Sequence, residues 1–271
     1  MGHWTLADIP WDMFDSGKVD PEIVRIVKAA SLVEQNGRDY TEYLCGVFHD
    51  DPAFQEVARR WGGEEVQHGQ ALGRWASLAD PGFDHAVAAA RFTAGFRVDL
   101  KARHSVRGSR SGELVSRCIV ETGTSSFYTA LFEAVDEPVL KDICHHIAAD
   151  ELRHYKLFYT HMKRYLGIEH LNRWQRLRVA IARIRETQDD ELPYAYYAAN
   201  EPDQSYDRRR YVGAYTRRAI PAYRWHHVER GIAMIFKAAG LKPHGRLNRL
   251  AANVAWWGLR RKAARLERRA A

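Results

Sequence analysis

The chain has 271 residues, of which 46% are hydrophobic and 28% charged, which is typical of a globular protein with a large core. Its sequence contains no apolar run of the roughly 18 residues that a transmembrane helix needs. Nearly all of the net charge of +7 comes from residues 241–271, which carry nine Lys or Arg and one Glu. The rest of the chain is slightly acidic, which argues against nucleic-acid binding.

The first residues lack the basic and apolar regions of a secretory signal. The chain has three cysteines and no Cys-x-x-Cys pair, which argues against a zinc or rubredoxin-type site. Both observations favour a reducing, cytoplasmic location.

Acidic residues followed by proline mark several helix starts. Residues 1–19 have no clear period and are expected to pack as an arm across the helices. Beyond them we predict helices over about 20–48, 52–80 and 84–105, a fourth after the glycine-containing break at 108–112, and a fifth from Pro138 to about Gly167. The third helix is alanine-rich, and its position indicates a crossover between two helical hairpins.

The second half of the chain has different signals. Residues 170–186 form a basic helical pattern, and an aromatic loop with Tyr194, Tyr196 and Tyr197 is expected before Glu201-Pro202. A helix near 206–239, kinked at Pro221, and an amphipathic helix over 246–269 follow. We therefore predict one all-α domain over 1–271, with a bundle core at 20–166 and a C-terminal helical extension at 167–271.

Two Glu-x-x-His motifs occur, Glu65 with His68 and Glu151 with His154. A Glu and a His three residues apart on a helix leave the same face. With 17 Glu and 13 His in the chain, about one such motif is expected by chance. The motifs alone are therefore weak evidence for a site.

The spacing of two further glutamates is stronger evidence. Glu34 lies 31 residues before Glu65, and Glu121 lies 30 residues before Glu151. Two residues of a helical hairpin stand at one height when the turn lies midway, and both midpoints fall on turn signals, at 49–52 and 136–138. The pattern predicts that four Glu and two His meet inside a four-helix bundle, as the ligands of a di-iron or di-manganese site.

In such a site Glu65 and Glu151 would bridge the ions, while Glu34 and Glu121 would each bind one. Asp150 and Glu64 precede ligand glutamates and are candidates to accept the second ring N–H of a ligand histidine. For Glu64 a solvent-facing position is the preferred interpretation. Thr124, one turn after Glu121, either faces the metal or bonds a preceding carbonyl.

Several of these motifs resemble a known family. The fifth helix contains Ile143-Cys144 and then Ile147-Ala148-Ala149-Asp150-Glu151-x-Arg153-His154, the second contains Trp-x-x-Glu-Glu-x-x-His-Gly from Trp61 to Gly69, and the fourth contains Glu121 with Thr124. Over residues 20–166 the chain resembles the soluble acyl-carrier-protein desaturases of the ferritin-like superfamily.

The resemblance implies a ferritin-like four-helix bundle with a crossover helix. It also implies a di-iron enzyme that takes two electrons, usually from a ferredoxin, and uses O₂ to desaturate an acyl chain on acyl carrier protein. Thr124 would act in proton delivery and O₂ handling, and Asp150 would hold a ligand histidine. Manganese is an alternative metal, and we expect a homodimer.

Three alternatives remain open from the sequence. The first is another di-iron oxygenase, acting by hydroxylation, N-oxygenation or aldehyde cleavage on a small substrate. The second is an iron-storage or peroxide-consuming ferritin-like protein, and the third is a metal-free binding module. The basic last helix fits an acidic carrier protein, an anionic membrane surface, or a solvated helix whose apolar face lies on the bundle.

Overall fold

The computed structural model describes residues 3–186 and 191–268, and in this part of the chain it contains helices and no strands. The helices are α1 (Pro21–Gln35), α2 (Gly37–Val47), α3 (Pro52–Ala79), α4 (His85–Gly95), α5 (Arg110–Ala134), α6 (Pro138–Glu169), α7 (Arg173–Glu186), α8 (Glu191–Asn200), α9 (Arg208–Ala219), α10 (Trp225–Ala239) and α11 (Arg246–Glu267). The predicted all-α class is confirmed. None of these helices is both long and apolar enough to cross a bilayer.

Four helices surround the centre of the molecule. Helix α1 packs on α3, α5 packs along α6, and α3 also contacts α6. The turns before α3 and α6 occupy residues 48–51 and 135–137, where the spacing of the glutamates predicts them. Each turn ends in an acidic cap followed by proline: Asp51 accepts a hydrogen bond from the Phe54 amide, and Glu137 from the Val139 and Leu140 amides.

The first predicted helix is wrong in one respect, because it is divided into α1 and α2. The division lies at Asn36, whose backbone has ψ of −3°, and α2 begins at the following Gly37. An Asn-Gly pair is a strong local turn signal. The Asn36 side chain also donates a hydrogen bond of 3.3 Å to Glu191 of α8, which holds the break in place.

Glycines on α3 allow α1 and α2 to approach closely. A Cβ added at Gly62 would lie 1.8 Å from Thr41 Oγ1, and one added at Gly69 would lie 2.7 Å from the backbone nitrogen of Gln35. The cost of glycine in a helix is offset here by this close packing. The approach brings the last turn of α1 against the middle of α3.

Replacing Gly69 with alanine should therefore lower the free energy of unfolding by about 1–3 kcal/mol, because backbone atoms on α1 would have to move. Gly63 provides a matched control on the same helix, since an added Cβ there meets nothing within 4 Å. Gly63→Ala should raise the free energy of unfolding by about 0.5–1 kcal/mol through helix propensity. Urea denaturation measures both, and equal effects of the two variants would contradict the packing argument.

The crossover helix is shorter than predicted, and the predicted aromatic loop is a helix. Helix α4 ends at Gly95, where an added Cβ would lie 1.9 Å from the Tyr194 hydroxyl, and residues 96–109 continue without an α-helix. Tyr194 belongs to α8, which packs on α1 and α4. Pro193 lies in the first turn of α8, where a missing N–H breaks no intrahelical hydrogen bond. Of the predicted loop, residues 187–190 lie outside the described residues.

The predicted helix at 206–239 is two helices and not one kinked helix. Pro221 lies in a 3₁₀ turn at Ile220–Ala222, and Arg224 is extended with φ of −122° and ψ of 165° before α10 begins. Because proline has no backbone N–H to donate, a continuous helix is unfavourable at this point. Helix α10 packs on α5 and α9 on α1, so the extension contacts the core helices directly.

Residues 3–19 form the expected arm, which contains two short 3₁₀ turns. Trp4 and Ile9 are buried. The Asp15 amide donates a hydrogen bond of 3.1 Å to Glu137 at the start of α6. The arm is therefore attached to the helices at both of its ends.

Candidate metal centre

Six buried side chains converge from four helices. They are Glu34 from α1, Glu65 and His68 from α3, Glu121 from α5, and Glu151 and His154 from α6. Each of them is at most 7% exposed. The structure thus brings together all of the residues that the sequence predicts as ligands, at the height set by the two turns.

The donor atoms form two overlapping sets. One set contains Glu34, Glu65, His68 and Glu151, and the other contains Glu65, Glu121, Glu151 and His154; within each set the donor atoms lie within 4.8 Å of one another. Glu65 and Glu151 belong to both sets. Because a carboxylate has two oxygens, each of these two residues can bridge a pair of ions. The clusters could therefore hold two metal ions side by side.

Both histidines direct the same ring nitrogen to the centre. His68 Nδ1 lies 3.3 Å from Glu151 Oε1 and 3.8 Å from Glu34 Oε2. His154 Nδ1 lies 2.9 Å from Glu65 Oε1 and 3.7 Å from Glu121 Oε2. Two ligands about 2.1 Å from a common ion and at right angles to each other are about 3.0 Å apart. These separations fit a shared cation.

The hydrogen bonding of these atoms supports the same interpretation. The central atoms without a hydrogen-bond partner are His68 Nδ1, His154 Nδ1 and one oxygen each of Glu65, Glu121 and Glu151. A buried polar atom without a partner costs free energy, and several in one place need a common explanation. Two divalent cations would bind all of them and neutralise the four carboxylates.

The outer nitrogens of the histidines have carboxylate partners. His68 Nε2 lies 3.1 Å from Asp150 Oδ2, and His154 Nε2 lies 2.7 Å from Glu64 Oε2. Arg153 contacts both carboxylates. This arrangement fixes the ring orientation of each histidine. The solvent-facing interpretation of Glu64 is therefore wrong, because α6 lies close enough for His154 to reach it.

The arm completes the surroundings of Asp150. The Trp4 indole donates a hydrogen bond of 2.7 Å to Asp150 Oδ2 and stacks on His68 with an interplanar angle of 2°. The side chain of Gln67 on α3 donates to the Trp4 carbonyl at 2.9 Å. Sequence reasoning missed Trp4, because no periodic signal connects the arm to residues far along the chain.

Two hydroxyl groups of α5 contact ligand carboxylates. Thr124 Oγ1 donates a hydrogen bond of 2.5 Å to Glu151 Oε2, and Tyr128 donates one of 2.5 Å to Glu34 Oε1. Thr124 Oγ1 also lies 3.3 Å from the carbonyls of Val120 and Glu121. Because a hydroxyl has one proton to donate and Glu151 is its nearest acceptor, Thr124 faces the centre, while its oxygen also lies near the preceding carbonyls. Tyr128 was not predicted, although it shares a helix stripe with Glu121.

Burial has opposite effects on the acids and bases of the centre. It raises the pKa of Glu121 to about 8, and the neighbouring Glu151 adds to this rise. It also raises the pKa of Glu65 well above its usual value. Burial alone would lower the pKa of His68 and His154, but the surrounding carboxylates outweigh it and raise both values well above the ordinary range. When no metal is bound, protons compensate the negative charge.

Metal binding should accordingly release protons and become tighter as the pH rises from about 6 to about 8, by up to about tenfold per pH unit for each proton released. The reason is that His68 and His154 must lose a proton before they can bind an ion. Titration calorimetry in buffers of different ionisation enthalpy measures the release. A His226→Ala variant, altered outside the centre, should behave as the unaltered chain, whereas an affinity independent of pH would contradict this expectation.

A separate cluster of Glu133, His226 and His227 does not have the properties of a metal site. His227 Nε2 lies 3.0 Å from Glu133 Oε2, but its Nδ1 accepts a hydrogen bond of 2.9 Å from the Arg224 amide. A neutral imidazole that accepts at Nδ1 carries its proton on Nε2, so this nitrogen has no lone pair for a metal. Glu133 and His226 are also exposed to solvent.

A cavity of about 560 Å³ reaches the centre from one side. It follows α5 over the residues from Glu113 to Tyr128, and Glu34 and Thr124 are part of its wall. Apolar and aromatic groups surround the part beyond Thr124, including Phe127, Tyr215 and Tyr223, while Arg117 and Glu113 lie at the other end. An elongated molecule could therefore lie beside the ligand carboxylates.

The arrangement combines a ligand set for two cations, outer carboxylates that orient the histidines, and a cavity beside the ligands. These features permit chemistry on a molecule that binds next to a pair of ions. Sequence comparison adds no identification. No protein-family model matches the chain, and no curated protein matches it either.

Proposed function

We propose that the chain is a di-iron, O₂-dependent oxidoreductase that desaturates a fatty acyl chain carried on acyl carrier protein. The observation that carries the proposal is the pair of overlapping buried ligand sets that share Glu65 and Glu151. Carboxylate and imidazole are ligands suited to iron and manganese. The resemblance of the motifs to acyl-carrier-protein desaturases supplies the reaction class.

The metal pair, when bound, supplies the redox chemistry that activates O₂. The overall change is the removal of two hydrogens from adjacent chain carbons, with O₂, two electrons and two protons giving two molecules of water. The electrons would come from an external donor such as a ferredoxin. The residues of this chain hold the ions, orient the substrate and supply protons.

The cavity favours oxidation of an organic substrate over iron storage. Its volume suits a long apolar chain, and a storage site needs no such space beside its ligands. The aromatic part beyond Thr124 would bind the apolar end of the substrate. Arg117 and Glu113, at the opposite end, would face its polar part and limit how far the chain enters.

Thr124 has the geometry of a proton carrier. Thr124 is part of the cavity wall and its hydroxyl donates to Glu151, so the residue lies between the cavity and a candidate ligand carboxylate. A hydroxyl both donates and accepts, and it can therefore pass a proton without acquiring a charge. Asp150 acts as a positioning residue, because it holds His68 in one orientation and touches neither the cavity nor the central donor atoms.

The wider assignments belong to the same proposal. The four central helices would form a ferritin-like bundle with α4 as the crossover, and the protein would act in the cytoplasm as a homodimer. Its partners would be an acyl carrier protein and the electron donor. Iron is preferred over manganese because the reaction requires O₂ and electron transfer.

The test combines metal analysis with turnover. The full chain is loaded with Fe²⁺ without oxygen, and the metal-to-protein ratio is measured before acyl carrier protein charged with a saturated acyl chain, reduced ferredoxin and O₂ are added. We expect about two irons per chain and a product two mass units lighter. Addition of one oxygen atom would indicate a hydroxylase, many irons per chain in a large shell would indicate storage, and no bound metal would indicate a binding module.

A matched pair of variants tests the role of Thr124. Thr124→Val should keep the iron content and slow turnover, with an expected loss of about 10²–10⁴-fold for a proton-transfer group. Thr93→Val on α4 is the control, since Thr93 is exposed and its hydroxyl also bonds a preceding carbonyl. Full turnover by Thr124→Val would remove the residue from the proton path.

A further inference from the structure

Helix α11 presents an unpartnered apolar stripe to solvent. Leu247, Leu250, Val254 and Trp257 are 62%, 60%, 60% and 59% exposed. Their spacing of three, four and three residues places them on one face of the helix. Single exposed apolar residues are ordinary, but four large ones in line form a patch that calls for an explanation.

Contacts on the opposite face of α11 fix the orientation of the stripe towards solvent. Asn248 and Ala252 are fully buried, and α11 packs on α10. Asn248 also accepts a hydrogen bond of 3.1 Å from the His244 amide. The stripe cannot turn towards the core without breaking these contacts. Helix α11 therefore packs one face on the bundle, as one of the alternatives from the sequence has it, and it presents a second apolar face to solvent.

The same helix is strongly basic. Its Lys and Arg residues are Arg246, Arg249, Arg260, Arg261, Lys262 and Arg265, and Glu267 is its only acidic residue. Within the part of the chain that the structure describes, no carboxylate forms an ion pair with these cations. Arg261 instead lies 4.5 Å from the centre of the Trp257 ring. The apolar stripe thus continues into a positive surface whose cations have no carboxylate partner among the described residues.

The charge decides between the candidate occupants of the stripe. A second copy of the chain that packed its α11 on this one would bring two sets of six cations together, with one glutamate in each helix. An acidic carrier protein delivering a substrate has to face the cavity, and no residue of α11 lines that cavity. An anionic lipid surface is flat, attracts arginine and accepts tryptophan and leucine at the level of the headgroups.

We propose that α11 binds in the plane of a membrane that contains anionic lipid, with the Leu247–Trp257 stripe inserted and the arginines at the headgroups. The helix has 22 residues and is about 33 Å long, so the whole stripe meets a flat surface at once. The contact is peripheral and brings the whole molecule to the bilayer surface. It is independent of the metal centre and of the reaction assigned to it.

Co-sedimentation of the full chain with vesicles tests the proposal. We expect binding to vesicles of phosphatidylcholine mixed with phosphatidylglycerol, at least about tenfold weaker binding to phosphatidylcholine alone, and weakening with added salt. A Leu250→Ser and Trp257→Ser double variant should lose at least about tenfold in affinity. Arg261→Glu with Arg265→Glu should lose the preference for anionic lipid.

A control variant distinguishes binding through the stripe from non-specific adsorption through exposed apolar residues. Met13 and Val87 are 56% and 51% exposed outside α11, and replacing both with serine should leave vesicle binding unchanged. Equal binding by the stripe variant and the unaltered chain would overturn the proposal. So would a solution dimer that the stripe variant dissociates, or an acidic carrier protein that binds α11 while anionic vesicles do not.

Discussion

Replacing Glu151 with alanine should reduce the metal content of the protein from about two ions per chain to near zero. Glu151 is fully buried, belongs to both ligand sets and accepts a hydrogen bond from Thr124. Its loss would remove a donor residue that both ligand sets share. Elemental analysis of protein loaded with Fe²⁺ and then desalted measures the effect.

Glu34 provides the informative comparison, because it belongs to one set only. Glu34→Ala should weaken one position and leave about one ion per chain. Glu56→Ala, an exposed change on α3, should leave about two ions. Circular dichroism and thermal unfolding establish that each variant is folded. Full iron content in the Glu151 variant would remove this residue from the ligand set.

The largest effect on stability is expected at Trp75. Its side chain is fully buried on α3, and its indole donates a hydrogen bond of 2.6 Å to Glu137. Trp75→Ala should lower the free energy of unfolding by about 3–5 kcal/mol, because it leaves a large cavity in the core. Glu137 would also lose a donor while it caps α6 and holds the arm through Asp15.

Denaturant unfolding of two further variants separates the contributions. Trp75→Phe keeps most of the volume and loses the hydrogen bond, so it should cost about 1–3 kcal/mol. Trp174→Ala removes a tryptophan that is 60% exposed and should change stability by less than about 0.5 kcal/mol. Equal losses at positions 75 and 174 would show that burial of Trp75 is not what stabilises α3.

The ligand cluster could be predicted from the sequence because it depends on turn residues and on spacings along the chain, and these signals agree with one another. Proline after an acidic cap marks where α3 and α6 begin, and a three-residue spacing keeps each Glu-x-x-His pair on one face. The nearly equal separations of the upstream glutamates from these motifs, 31 and 30 residues, then determine the height at which the helices bring them together. No knowledge of packing angles is needed for this step.

The partners of the ligands were harder to predict because they depend on packing between distant segments. Glu64 leaves α3 about 100° round the helix from Glu65, and only the approach of α6 makes it the partner of His154. Trp4 and Asp150 are 146 residues apart in the chain. Tyr128 lies on a recognisable stripe of α5, but periodicity does not show that its hydroxyl reaches Glu34 on another helix.

Two differences between the predicted and the observed helices have the same physical cause. The residues around Asn36 have a helical pattern, so the sequence predicts one continuous helix there despite the turn signal of Asn36-Gly37. In the structure, the contact of Asn36 with Glu191 stabilises a break. In α8 the opposite difference occurs: Pro193 indicates a loop in the sequence, but in the structure it lies in the first turn of a helix. Tertiary contacts decide both cases, and a single sequence does not reveal them.

Arg153 connects both halves of the candidate metal centre to one surface group. Its guanidinium holds Asp150 and Glu64 together, and these carboxylates orient His68 and His154 respectively. The Arg153 side chain is 49% exposed to solvent, whereas Glu64 is partly buried and Asp150 is buried. A change of charge at this single site would therefore disturb the orientation of both histidines together.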